Sequence, residues 1–186
     1  MNETIKTILS RRSFRAYMQD QIKAEDVQIL LKAGMFAPSA MNQQSWHFTV
    51  VQNKETLQKI NQTIKSNFLK SGNKRFEDMA KSENFNVFYN APTLIIVSGD
   101  EKAIAPQCDC VLAMGNILLA SSSLGISSCW IHALTYLSST DEGKALISEL
   151  GIPDGNKIFS SAVFGYTEGT APAAAPRKEN TVTIIT

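Results

Sequence analysis

The sequence predicts a single α+β domain over residues 1–186, because helical and strand-like segments alternate along the chain. Of the residues, 44% are hydrophobic and 19% are charged, the balance of an ordinary globular protein. A chain of this length buries roughly 70% of the surface that its unfolded form exposes, so it needs no disulfide or structural metal. The formal net charge of +1 gives no strong field for nucleic acid or a membrane surface. No membrane-spanning or leader segment is predicted, and we expect a cytoplasmic protein.

The helices are predicted from apolar residues at helical spacing and from acidic residues near helix starts. They cover residues 4–10, 24–36, 54–68, 109–124 and 141–150. The fourth of them is apolar on nearly every side, which is typical of a helix in the core or across a subunit contact.

The strands are predicted from runs of β-branched and aromatic residues. They cover residues 46–51, 93–98, 128–131, 158–165 and, near the C-terminus, 181–185. A loop rich in Gly, Ala and Pro separates the last strand from the body, so we expect that strand to pair with a partner chain.

Residues 71–90 carry aromatics without a single period. They form either a mobile cover over a site or a segment that its aromatics hold on the core.

The densest polar motif is the run RRSFR at residues 11–15. In an extended segment, alternation sends Arg11, Ser13 and Arg15 to one side and Arg12 with Phe14 to the other. Two guanidinium groups and a hydroxyl on one side provide the charge-assisted donors that a phosphate monoester requires. The alternative is a solvated basic turn, which the motif alone would favour.

A second polar motif, PSAMNQQSW, lies between a predicted helix and a predicted strand at residues 38–46. Its amides at Asn42, Gln43 and Gln44 both donate and accept hydrogen bonds, as reading the pyrimidine edge of a flavin requires. The alternative is a polar connecting loop capped by Ser39 and Asn42.

The residues that could bind a metal are few. Cys108, Cys110 and Cys129 form no CxxC pair, and only His47 and His132 could complete a zinc site, so we predict no metal. No nucleophile with a paired base and no carboxylate pair stands out. No GxGxxG follows a strand, so a stored dinucleotide is not predicted.

Taken together, the two motifs resemble the nitroreductase family of flavoproteins. RRSxR begins at residue 11, and APSxxNxQxWxF covers residues 37–48. The match continues in YNAP at 89–92, in SLGISSCWI at 123–131, and in Gly165-Tyr166 followed by the PRK at 176–178. The resemblance implies an FMN-binding fold with a central mixed or antiparallel sheet surrounded by helices. It also implies a homodimer with FMN at the subunit interface, in which residues 166–186 extend onto the partner and the C-terminal strand is exchanged.

The resemblance also implies which residues contact FMN. Residues of the first motif would bind the phosphate together with a C-terminal arginine, namely Arg11, Arg12, Ser13, Arg15 and Arg177. The second motif would reach the flavin of the other subunit through Pro38, Ser39, Asn42 and Gln44. The ring would be contacted by Asn67 and, near N5, by Ile131 and the backbone of His132 and Ala133. Ser45 stands where the family usually has proline, which predicts a looser loop.

The implied activity is transfer of hydride from NADH or NADPH through flavin N5 to an electron-poor acceptor, such as a nitroaromatic or a quinone. His132 could donate a proton there, although a histidine at the end of a strand is more often structural. The main alternative is a non-catalytic FMN-binding or redox-sensing protein. A further alternative is an interaction domain whose arginine cluster binds an acidic partner.

Overall fold

The computed structural model describes all 186 residues and contains six α-helices, four strands and two short 3₁₀ helices. The α-helices are α1 (Glu3–Ser10), α2 (Ala24–Met35), α3 (Lys54–Leu69), α4 (Lys74–Ala80), α5 (Pro106–Ser123) and α6 (Asp141–Glu149). The strands are β1 (Trp46–Val51), β2 (Thr93–Asp100), β3 (Ser127–Trp130) and β4 (Asn156–Gly165). The 3₁₀ helices are Ala40–Asn42 and Ala133–Ser139. None of the helices combines the length and the apolar character needed to cross a membrane.

The predicted α+β class is confirmed, but one helix begins earlier than predicted and another was not predicted. Helix α5 begins at Pro106, three residues before the predicted start, because proline is well suited to the first turn of a helix. Helix α4 was not predicted, since its residues show no clear apolar period. It begins after Asn73, whose side chain accepts hydrogen bonds from the backbone N–H groups of Arg75 and Phe76.

All neighbouring strands of the sheet are antiparallel, in the order β1-β2-β4-β3. Strand β2 lies inside and is apolar on both faces: Leu94 and Ile96 face one hydrophobic cluster, whereas Ile95 and Val97 face the other. The sheet therefore separates two cores. Strands β1 and β3 are its opposite edges.

Helices cover both faces of this sheet. Helices α2 and α5 cover one face, and α3, α4, α6 and the second 3₁₀ helix cover the other. Helices α2 and α5 approach closely at Gly34, where an added Cβ would lie 2.9 Å from the side chain of Ile117. Another side of α5 lies outside the core, and its Val111 and Leu112 are exposed.

The segment of residues 71–90 packs on the core through its aromatic rings. Phe76 stacks on Phe68 with ring centroids 4.6 Å apart, and Phe85 meets the edge of Phe68 at 6.1 Å. The amide of Asn61 donates to the carbonyl of Phe85 at 3.2 Å. These contacts attach the segment to α3.

The tail after β4 has no helix or strand. Residues 181–185 form no strand within the single chain, and their pairing with a partner chain stays a prediction. Val182, Ile184 and Ile185 are 77%, 79% and 94% exposed. Three apolar side chains of this tail thus have no partner within the chain.

Candidate functional site

The RRSFR segment runs beside the free edge of β3. Ser13 forms an isolated parallel bridge with Ser128, and the N–H of Phe14 donates to the carbonyl of Ser128 at 3.1 Å. The segment is therefore extended, and its side chains alternate. Arg12 is directed to the end of α1, where its guanidinium donates to the carbonyls of Leu9 and Arg11 at 2.7 and 2.8 Å.

The other three polar side chains of this segment lie around Cys129, which is 3% exposed. Burial raises the pKa of the Cys129 thiol, while Arg15, the Ser13 hydroxyl and Arg11 oppose that rise. The thiol is consequently neutral at physiological pH and does not compensate the two arginines. Neither Arg11 nor Arg15 takes part in any of the five salt bridges of the chain. Two uncompensated guanidinium groups and a hydroxyl near one point can bind a dianion.

A cavity of about 600 Å³ lies on the Arg15 side of this segment. Its walls are mainly apolar and aromatic and include Phe76, Phe85, Tyr89, Trp130 and Tyr136. Tyr89 joins the two features, because the guanidinium of Arg15 lies 6.0 Å from the centroid of its ring. The candidate site thus combines a positively charged region at the arginines with a cavity that has aromatic walls.

The three residues that directly follow β3 line this cavity, namely Ile131, His132 and Ala133. The backbone of Ile131 is held on both sides: its N–H donates to the carbonyl of Ser161 at 2.8 Å, and the Ser161 hydroxyl donates to its carbonyl at 2.6 Å. The N–H of His132 donates to no atom of the chain. The imidazole of His132 is exposed and lies edge-on to Tyr136, with ring centroids 5.9 Å apart. A fixed stretch of backbone thus adjoins the cavity, and the N–H of His132 in its wall is not used within the chain.

The second motif lies at the other edge of the sheet, immediately before β1. Pro38 is exposed, the Ser39 hydroxyl accepts from the N–H of Gln44 at 3.0 Å, and the amide of Gln44 donates to Asn42 at 3.0 Å. Within one chain the sheet order keeps this loop apart from the RRSFR segment, because β2 and β4 lie between the two edges.

Two further residues that were predicted to contact FMN do not lie beside Arg11 and Arg15. Asn67 is buried, donates to the carbonyls of Tyr136 and Leu137 at 3.1 and 3.3 Å, and accepts from Thr140 at 2.9 Å. Its amide thus connects α3 to the 3₁₀ helix that lines the cavity. Arg177 is exposed in the tail, and its side chain makes no ion pair or hydrogen bond within the chain.

Comparison with known proteins places this arrangement in a family. The Nitroreductase family model matches residues 8–166. The chain belongs to the nitroreductase family. It is 37% identical over 171 residues to a candidate NADH dehydrogenase/NAD(P)H nitroreductase of Archaeoglobus fulgidus, covering 89% of this chain and 86% of that protein.

Two solved nitroreductases with bound FMN have the same fold. The structure from Bacteroides fragilis is 40% identical, covers 100% of both chains and superposes with a TM-score of 0.94. The structure from Desulfitobacterium hafniense is 28% identical, covers 99% of both chains and has a TM-score of 0.87.

The sequence interpretation missed two residues in this member of the nitroreductase family. Tyr89 was noted only among the aromatics of residues 71–90 and in the matched run YNAP, although it links Arg15 to the cavity. Asp109 was predicted only as the first residue of an apolar helix, yet its carboxylate accepts from the backbone N–H of Ala40 and from the hydroxyl of Ser45. The Ser45 hydroxyl thus ties the loop to α5, a contact that a proline at this position could not make. The sequence signal that could have indicated the role of Asp109 was its position as an acidic residue early in an apolar helix.

Proposed function

We propose that this nitroreductase is a homodimeric FMN enzyme that takes hydride from NADH or NADPH and delivers it to a nitroaromatic or quinone-type acceptor. The observation that carries the proposal is the pair of uncompensated arginines, Arg11 and Arg15, the second of which lies 6.0 Å from the ring of Tyr89 in the wall of an aromatic cavity of about 600 Å³. The bound FMN of the Bacteroides fragilis relative supports the cofactor. The name of the Archaeoglobus fulgidus relative supports NADH or NADPH as the donor.

The residues present fit both ends of FMN. Its phosphate is a dianion, and Arg11, Ser13 and Arg15 supply charge-assisted donors at one point. Its ring system is flat and largely apolar, which suits a cavity with aromatic walls and few polar groups. Arg177 would join the phosphate site when the tail folds over a subunit.

When bound, FMN would supply the redox chemistry, accepting hydride from the nicotinamide and delivering it to the acceptor. The chain holds, orients and encloses that group. Arg11 and Arg15 would anchor the phosphate, and the N–H of His132, which follows a backbone fixed by Ser161, would be free to donate to the ring. Phe76, Phe85 and the other aromatic walls would shield the ring from water. The exposed imidazole of His132 is placed to contact the acceptor or to supply a proton.

A second copy of the chain would complete the site. The two predicted flavin-binding motifs lie at opposite edges of the sheet, so the loop containing Pro38, Ser39, Asn42 and Gln44 would reach the flavin of the other subunit. Helix α1 supports this proposal, because it is amphipathic yet has no buried residue in the single chain. Val111 and Leu112 of α5 extend the exposed apolar surface.

The tail would pack on the partner. Val182, Ile184 and Ile185 are exposed in the single chain and would be buried if residues 181–185 paired as an exchanged strand. We also propose a cytoplasmic location, because the three cysteines are free thiols, the form that a reducing compartment maintains.

Steady-state oxidation of NADH and NADPH by the FMN-loaded protein tests the proposed activity. With a nitrobenzene derivative or a benzoquinone as acceptor, we expect parallel lines in double-reciprocal plots, because donor and acceptor use the same site in turn. Free FMN at the same concentration is the control. A rate no higher than that of free FMN would contradict the proposed enzyme and would favour the FMN-binding sensor.

A further inference from the structure

A buried carboxylate that the proposed chemistry does not use lies below the second motif. Asp109, in the first turn of α5, is 2% exposed. Its Oδ1 accepts from the backbone N–H of Ala40 at 3.0 Å, and its Oδ2 accepts from the hydroxyl of Ser45 at 3.1 Å. It takes part in no salt bridge. A buried carboxylate without a cation is tolerated here because two donors and the helix N-terminus stabilise its charge.

The segment between these two donors has an unfavourable backbone. Met41, Asn42 and Gln44 have φ angles of 49°, 55° and 49°, in the left-handed region that L-residues other than glycine rarely occupy. Such conformations persist only where surrounding contacts enforce them. Asp109 binds the segment at both ends, at Ala40 and at Ser45, and thereby restrains all three residues. The strained segment also contains Asn42 and Gln44, which the proposed dimer brings to a flavin.

We propose that Asp109 is a positioning residue for the FMN site of the other subunit. Together with Ser45, it holds the segment of residues 39–45 in the shape that presents Ser39 and Asn42 across the dimer interface. The inference rests on the proposed function, since it requires a flavin site shared between two chains. Asp109 does not touch the cofactor and acts through the loop.

Substitutions of the carboxylate and its hydroxyl partner test the role. Asp109→Leu keeps the approximate size but removes both acceptors, and we expect its dimer to bind FMN at least tenfold more weakly than the unmodified dimer, on the order of one lost charge-assisted hydrogen bond. Asp109→Asn should bind within about twofold of the unmodified protein, because its amide accepts from Ala40 and donates to Ser45. Ser45→Ala should fall between the two. Asp154→Asn, which changes an exposed carboxylate that accepts from neither Ala40 nor Ser45, is the matched control.

A mixed dimer separates positioning across the interface from a general loss of stability. One subunit carries Asp109→Leu, and the other carries Arg11→Ala with Arg15→Ala. If the loop acts on the partner's flavin, both defects fall in one site, and the other site is intact. We therefore expect one FMN per mixed dimer, bound with the affinity of the unmodified protein.

The opposite results overturn the inference. No site of unmodified affinity in the mixed dimer would mean that the loop acts within its own subunit or only on stability. Unchanged FMN affinity in both the Asp109→Leu and the Ser45→Ala homodimers would remove the positioning role. Failure of the unmodified protein to bind FMN would instead refute the proposed function on which the inference depends.

Discussion

Replacing Arg11 and Arg15 together by alanine should give a folded protein that no longer retains FMN. Each arginine supplies a charge-assisted contact to the phosphate worth about 1.5 to 3 kcal/mol. The pair therefore contributes about 3 to 6 kcal/mol. Its loss should raise the dissociation constant for FMN roughly 10²- to 10⁴-fold. Neither side chain supports the fold through a salt bridge, so the loss should be confined to binding. Titration of the FMN-free protein, followed by quenching of flavin fluorescence, measures the change.

Arg12→Ala is the matched control for this double substitution. It removes a positive charge from the same run, but the guanidinium of Arg12 caps α1 by donating to Leu9 and Arg11. We expect a lower melting temperature with FMN affinity nearly retained. Equal losses of affinity in the control and in the double variant would mean that general positive charge attracts FMN, without a phosphate site at Arg11 and Arg15.

Removing residues 181–186 should convert the dimer largely to monomer. The segment contains Val182, Ile184 and Ile185, which are 77%, 79% and 94% exposed in the single chain. Burying each such side chain against a partner contributes about 1.5 to 3 kcal/mol. The dissociation constant of the truncated dimer should therefore be at least about 10³-fold higher than that of the full-length dimer. Sedimentation equilibrium over a range of protein concentrations measures this shift.

Removing Thr186 alone is the control for the truncation, because it shortens the chain without touching the apolar residues. Arg177 remains in both proteins. A change in FMN affinity therefore reports on loss of the dimer and not on loss of an arginine that binds the phosphate. Identical dimer dissociation constants for the full and the truncated chain would refute the strand exchange.

The parts of the molecule that sequence could predict are those governed by local pattern. Strand β2 was predictable because the run TLIIVS is apolar on both faces, and the structure places it between two hydrophobic clusters. The extended RRSFR segment was predictable in the same way, since a two-residue alternation needs no knowledge of the rest of the fold. Local spacing therefore indicated both the central sheet and the cluster of Arg11, Ser13 and Arg15.

Contacts between distant parts of the chain were not predictable from local pattern. Asp109 bonds to Ser45 across 64 positions, and no periodicity links them. Asn67 was predicted as a flavin contact from resemblance, whereas its hydrogen bonds depend on where the 3₁₀ helix at Tyr136 packs. Pairing of the tail is likewise a long-range property: composition favours a strand at residues 181–185, but a strand forms only where a neighbour supplies hydrogen bonds.

The most direct test of the central claim is the visible spectrum of the purified protein, recorded without oxygen before and after NADH and then NADPH are added. We expect the absorption of oxidised flavin, bleached by at least one of the two nucleotides, and the faster of them identifies the preferred donor. A protein that shows no flavin absorption even after FMN is supplied would contradict the assignment of Arg11, Ser13, Arg15 and the adjoining cavity as a cofactor site.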